Sequence, residues 1–252
     1  ELQPVVFQLA LYFGVRRDPD TAAVLGGVYE RLVTDVTAAA RAVLVDDLAA
    51  AVTGGASSVL ALLPVLQRDP DASLVRTAAL VFATHMAAPS EDPLAGPRAL
   101  RALLDHAEED AARAGLVGAL LALGDARVRP LLAGAWRALS PGTGTALLAL
   151  PRPLASRLEA EWLLDWLEDA DPVTFAAVAG SLARLPADGG GRVLEIEREL
   201  PAGPAGDVLT VSREWSAAEL GEQLGGRFRS LARRAADSSA FDAVLAAWGV
   251  PR

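Results

Sequence analysis

Apolar residues recur at three- and four-residue spacing along almost the whole chain, the period of helices that bury one face. Breaks fall at Asp18-Pro19, Gly54-Gly55, Asp69-Pro70, Pro89 to Pro97, Gly124-Asp125, Pro141-Gly142, Pro151 to Pro153, Asp171-Pro172, Gly189 to Gly191 and Pro201 to Gly206. Between them lie about thirteen segments of roughly 10 to 20 residues, a usual helix length. No stretch joins β-branched enrichment to strict alternation. Asp207-Val208-Leu209-Thr210-Val211 is the one candidate strand, and it is too short to change the class. The pattern predicts an all-α protein.

Acid–proline clusters stand ahead of several segments: Asp18-Pro19-Asp20, Asp69-Pro70-Asp71 and the looser Asp169-Ala170-Asp171-Pro172. After the second, Leu74, Val75, Ala78, Val81, Phe82, His85 and Met86 share one helix face at about 100° per residue. Asp71 then occupies the N-cap position and Pro70 closes the preceding turn. Both acids lie near the positive end of the helix dipole. The clusters therefore read as turns and caps, not as paired carboxylates for chemistry. Two further helix starts carry a serine with glutamate three residues on, the capping-box spacing: Ser156-Arg157-Leu158-Glu159 and Ser216-Ala217-Ala218-Glu219.

Composition narrows the chemistry. With 252 residues and 52% apolar content the chain can bury a large core, and aromatics at 5% favour helix over sheet. Lysine, asparagine and cysteine are absent, as a GC-rich bacterial coding sequence explains for the first two. Schiff-base lysine, P-loop lysine and thiolate catalysis are thereby excluded, as is cysteine-ligated zinc. Two histidines, His85 and His106, do not make a multi-histidine metal site. The net charge of −9 gives nucleic-acid binding no general electrostatic support. Residues 1 to 15 read as a helix rather than a signal peptide, no membrane span is expected, and the expected location is cytoplasmic.

A repeat grammar emerges in the first half. Val75-Arg76-Thr77-Ala78-Ala79-Leu80 has a counterpart in Ala112-Arg113-Ala114-Gly115-Leu116-Val117, with the arginines 37 residues apart. Leu123-Gly124-Asp125-Ala126-Arg127-Val128-Arg129-Pro130-Leu131-Leu132-Ala133-Gly134-Ala135-Trp136 follows as a helix end, a tight Gly-Asp turn and a helix with proline in its first turn. Helix pairs at a period of about 40 residues mark an α-solenoid. In Asp71 to Ala79 and in Leu123 to Leu132 the chain resembles the HEAT-repeat family. The resemblance is clearest over residues 57 to 140, extends to 1 to 56 and 154 to 200, and fades after 201; Leu150 stands where a third arginine would fall. It implies a right-handed superhelix of about six antiparallel helix pairs. The array would occupy residues 1–200, with 201–252 as a C-terminal helical cap continuous with it. Such proteins usually act as scaffolds for other macromolecules, and the family implies no particular reaction.

Candidate sites follow from charge. Arg157, Glu161, Asp165 and Glu168 fall on the polar face of one helix, opposite a ridge of Leu154, Leu158, Trp162 and Trp166. Trp166 points into the apolar face and Trp162 lies nearer its edge. A solvated face explains the acids, and a concave one would suit a basic partner. The single basic patch is Arg227, Arg229, Arg233 and Arg234 on a late helix, available for nucleic acid, acidic lipid or the acidic middle of a second copy. Gly142-Thr143-Gly144-Thr145 and Gly189-Gly190-Gly191-Arg192 are candidate anion cradles, and glycine-rich turns account for both. His85 reads as a core histidine and His106 as part of an acidic turn, Asp105 to Asp110. No catalytic constellation stands out. The expected function is non-catalytic protein binding, as an adaptor, an assembly factor or an immunity-type neutralising partner, with no cofactor or metal. The site residues would be Glu161, Asp165, Glu168, Trp162, Arg227, Arg229, Arg233 and Arg234. The alternatives are nucleic-acid binding through the arginine patch, and a helical enzyme with inward carboxylates such as Asp46, Asp47 or Asp165.

Overall fold

Local rules place the helices. In a computed structural model of the chain, residues 72–73, 75–76, 79–80, 83, 92–150, 155–199, 208–235 and 238–252 are described, and most of them are helical. Asp18-Pro19-Asp20, Asp69-Pro70-Asp71, Asp46, Asp47 and His85 lie outside the described residues. The contacts divide the chain into two compact units, Glu1–Ala119 with Leu200–Val208, and Leu120–Glu199 with Leu209–Arg252. The C-terminal helices thus fall in one unit with residues 120–199.

In the first unit, described positions between Ala72 and Ala83 are helical, and Val75, Ala79 and Ala83 are buried. Helix α1 (Ala95–His106) buries Leu100 and Leu104. Helix α2 (Asp110–Ala122) begins with Ala112, Ala114, Leu116 and Val117 buried. Gly115 lies against Val75, where a Cβ would come within 2.6 Å of the valine side chain. Arg113 ties the two helices together. Its Nε donates to the Ala107 carbonyl at the end of α1 (2.9 Å) and its Nη1 pairs with Asp110 (3.2 Å).

In the second unit, Asp125 accepts from the Arg127 amide and opens a short 3-10 turn, Ala126–Val128. The helix expected from there to Trp136 is broken. Helix α3 (Arg129–Leu132) lasts one turn, Gly134 adopts φ 67°, and a second 3-10 turn runs Ala135–Ala138. The left-handed residue ends the helix because the next turn cannot propagate through it. Three longer helices then start at side-chain caps: α4 (Pro141–Ala149) at Ser140, α5 (Arg157–Asp169) at Ser156 and α6 (Pro172–Asp188) at Asp171. In the last of these the Asp171 carboxylate accepts from the amides of Val173 and Thr174 and from the Thr174 hydroxyl, so this acid cluster is a cap.

The described chain is mostly helical, as expected, with one small sheet. Strands β1 (Arg192–Glu199) and β2 (Val208–Ser216) form a two-stranded sheet. The Ala217 amide bonds to the Gly191 carbonyl and Arg192 pairs with Glu214, so the start of one strand lies beside the end of the other and they run antiparallel. On its other side β1 makes isolated parallel bridges to Asp125 and Ser156 through Ile196 and Leu194. The strand escaped the periodicity reading because Glu195, Glu197 and Arg198 interrupt its apolar residues, and Val193 and Ile196, both buried, stand at helical spacing. Gly189 to Gly191 therefore lead into a strand, not a helix N-terminus, and Gly142 to Thr145 lie within α4. The first thereby lacks the helix start that an anion cradle would need, whereas the second lies in the first turns of a helix capped by Ser140.

Helix α7 (Ala217–Arg234) starts at a complete capping box of Ser216 and Glu219, and α8 (Ser238–Ala247) follows. Helix α6 packs against α4, α5 and α8, while α5 packs against α7, α3 and β1, so alternate helices stack on one another. Pro186 inside α6 has no amide to give, which frees the Leu182 carbonyl four residues back. The Trp248 indole N–H takes that carbonyl at 2.9 Å. Trp248, Phe228 and Phe241 form the local core, with ring centroids 5.7 and 6.2 Å apart in sequence from Trp248 to Phe241. Gly221 gives α7 its close approach, since a Cβ there would collide with the Trp248 carbonyl.

Candidate functional site

The polar face of α5 repeats every third or fourth residue, so Arg157, Glu161, Asp165 and Glu168 line up along the helix. The flanking elements deliver arginines to it. Arg129 comes from the first turn of α3, and Arg227 from the middle of α7. The result is an alternating ladder. Glu195 of β1 meets Arg157 (3.4 Å), Arg157 meets Glu161 (2.9 Å), Glu161 meets Arg129 (2.8 Å), Arg129 meets Asp165 (3.1 Å), Asp165 meets Arg227 (2.6 Å) and Arg227 meets Glu168 (2.8 Å). Four carboxylates and three guanidiniums share charge in one row. Glu161 is 9% exposed.

Electrostatics follows the geometry. Burial alone would lower the Arg227 pKa, but hydrogen bonds to Glu168 and Asp165 outweigh it and raise the value. Arg157 is raised in the same way, with Glu161 and Glu195 outweighing burial. At the β1 end Trp215 donates its indole N–H to Glu195 (3.0 Å), with the Arg157 and Arg213 guanidiniums over its ring.

The expected site residues are thus partly brought together. Glu161, Asp165, Glu168 and Arg227 belong to one ladder. Arg234 leans on the same helix through the Glu168 carbonyl (3.3 Å). Arg229 and Arg233 are exposed and make no ion pair with a described residue; Arg233 and Arg234 stand in the last turn of α7, where cations suit the helix dipole. Trp162 does not reach the surface. It is 1% exposed, and its indole N–H bonds to the Leu132 carbonyl at the end of α3 (3.2 Å).

A different feature lies at the C-terminal end of α5. A cleft of about 360 Å³ opens there, lined by Trp136, Leu139 and Pro141 before and at the start of α4, Trp166 and Asp169 of α5, and Asp171 and Thr174 at the start of α6. Trp136, Trp162 and Trp166 form a relay of rings, 6.0 and 5.2 Å between successive centroids. Gly144 leaves room for Trp166, since a Cβ there would sit 3.1 Å from the ring. Arg137 pairs with Asp169 and lies over Trp136 (5.8 Å to the ring centroid). The buried Trp136 Nε1 has no hydrogen-bond partner among the described residues. Beside the cleft Val173 is 83% exposed, the single large hydrophobic side chain in that state among the described residues.

Sequence reasoning did not single out Arg129, Trp136 or Val173. Arg129 sits 32 residues from Glu161, too far for any periodicity to link them. Val173 carried a legible signal, an apolar residue in the first turn of a capped helix, where it faces water. Among the described residues no group of three or more His, Asp or Glu side chains is placed to hold a metal, and no helix is long and apolar enough to cross a membrane. His106 is exposed at the end of α1.

Compared with known proteins, the chain matches no family model, no curated protein and no solved structure.

Proposed function

We propose that this protein is a non-catalytic, HEAT-like helical scaffold that binds another protein. The observation that carries the reading is the cleft at the C-terminal end of α5. Two indole rings line it, on the second compact unit, and Val173, between the lining residues Asp171 and Thr174 in the chain, is exposed. Apolar and aromatic side chains around a concavity with a few polar groups support a recognition surface. The stacking of alternate helices in that unit, α4 with α6 and α8, and α5 with α7, supports a solenoid-like frame. The ladder on α5 has its charges engaged within the chain, so the partner surface moves from the acidic face to the cleft.

The test is affinity capture with the full chain, comparing wild type, Val173→Asp and the double variant Arg229→Glu, Arg233→Glu. The expected outcome is a specific protein that binds purified wild type, is lost with Val173→Asp and is kept by the arginine variant. Retention of nucleic acid instead, abolished by the arginine variant, overturns the reading in favour of the α7 arginines as a nucleic-acid surface.

A further inference from the structure

The cleft has a charge preference that its own residues reveal. Two carboxylates, Asp169 and Asp171, line it against one guanidinium, Arg137. Arg137 shows the local chemistry already in use, a guanidinium lying over the Trp136 indole and paired with a carboxylate. Asp169 has that cation. Asp171 has none among the described residues, and its bonds are all to N–H and O–H donors at the start of α6. Its carboxylate remains exposed, with lone pairs available for a second guanidinium.

One further observation points to a peptide rather than a free amine. Val173 beside the cleft is almost fully exposed, so an apolar residue next to the basic one gains a contact there.

We infer that the cleft formed by Trp136, Trp166, Asp169 and Asp171 docks an arginine side chain of a partner protein, with the following apolar residue resting on Val173. This rests on the protein-binding reading above and names the chemistry of the contact. The arginine pairs with Asp171 and lies against the indole edges.

The probe is acetyl-arginyl-leucine amide, titrated into full-length protein carrying fluorotryptophan and followed by fluorine NMR. The five tryptophans are assigned by single Trp→Phe variants. Saturable shifts confined to Trp136 and Trp166 are expected, with about ten-fold weaker binding of the uncharged citrulline counterpart. Asp171→Asn should weaken the arginine probe by a similar factor, because asparagine keeps the cap and loses the charge. Val173→Ser should remove the advantage of leucine over glycine in the second position. The inference is overturned if citrulline binds as well as arginine, if agmatine alone binds as tightly as the dipeptide, or if no saturable shift occurs at Trp136 and Trp166. A protein captured by wild type and still captured by Asp171→Asn would sink the arginine contact and leave the broader protein-binding reading standing.

Discussion

Helix α5 carries charge in two ways. Along its side, Glu161, Asp165 and Glu168 are matched with arginines from α3, α7 and the helix itself, and each interior carboxylate of the ladder meets two cations. At its C-terminal end, Asp169 and Asp171 face one arginine, beside an exposed valine and an unpaired indole N–H. The first arrangement satisfies the chain; the second leaves groups over. A charged row in a sequence therefore says little about binding until its partners are known, whereas unmatched groups at a concavity identify surface that folding alone does not account for.

The sharpest way to break this contrast is to remove one member from each side. Glu161→Ala takes the acceptor from both Arg129 and Arg157. The two guanidiniums are partly exposed, so water recovers some of the loss. A cost of about 2 kcal/mol is expected by urea unfolding, below that of a fully buried pair. Val173→Asp, on an exposed position, should change stability by less than about 0.5 kcal/mol. Equal costs would mean that the cleft edge is as structural as the ladder.

How much of this was legible in the sequence depended on range. Caps were readable because they are local: the Ser216–Glu219 box and the Asp171 cap are complete within four residues. Helix α5 was readable from its periodicity, including the burial of Trp166. The ladder was not. Its cations come from residues 129 and 227, and no spacing rule joins them to Glu161 or Asp165 across two turns and a sheet. Strand β1 was hidden for a related reason. Its identity depends on pairing with β2 and on bridges to Asp125 and Ser156, while its local composition is charged. The cleft was half legible. Trp136 and Trp166 were visible as residues, but Gly134 breaks the expected helix and thereby decides where Trp136 goes.

A smaller effect sharpens the comparison at Gly144. Alanine there gains helix propensity of about 1 kcal/mol relative to glycine. Against that, its Cβ would meet the Trp166 ring at 3.1 and 3.2 Å, so the ring must shift by a few tenths of an ångström. Trp166 borders the cleft and has open space on one side, so it can yield. Gly144→Ala is expected to stabilise by about 0.5 kcal/mol in thermal unfolding. It should also weaken the arginine probe, because the displaced ring narrows the cleft. Destabilisation instead would mean that Trp166 is held on all sides and belongs to the core rather than to a binding wall.

The smallest expected effect separates the two roles of Asp171, helix cap and cleft carboxylate. The Thr174 hydroxyl first, then the Thr174 and Val173 amides, hold its pKa below the ordinary aspartate value. A carboxyl with a lower folded than unfolded pKa stabilises fully above the unfolded value, and that contribution is lost as pH falls through the folded one. Asp171→Asn keeps a side-chain oxygen for the cap but does not titrate. Wild type should therefore lead the variant in urea midpoint at neutral pH, and the lead should shrink as pH falls below the ordinary aspartate range and through the lowered folded pKa, where the aspartate takes up its proton. Glu219, whose pKa is lowered first by the Ser216 hydroxyl and then by its amide, titrates in both proteins and cancels in the difference. A lead that persists unchanged on acidification would show that the Asp171 charge contributes nothing to the helix start. The capping interaction would then rest on oxygen geometry alone, and the ionised carboxylate would have no structural role to compete with binding an arginine.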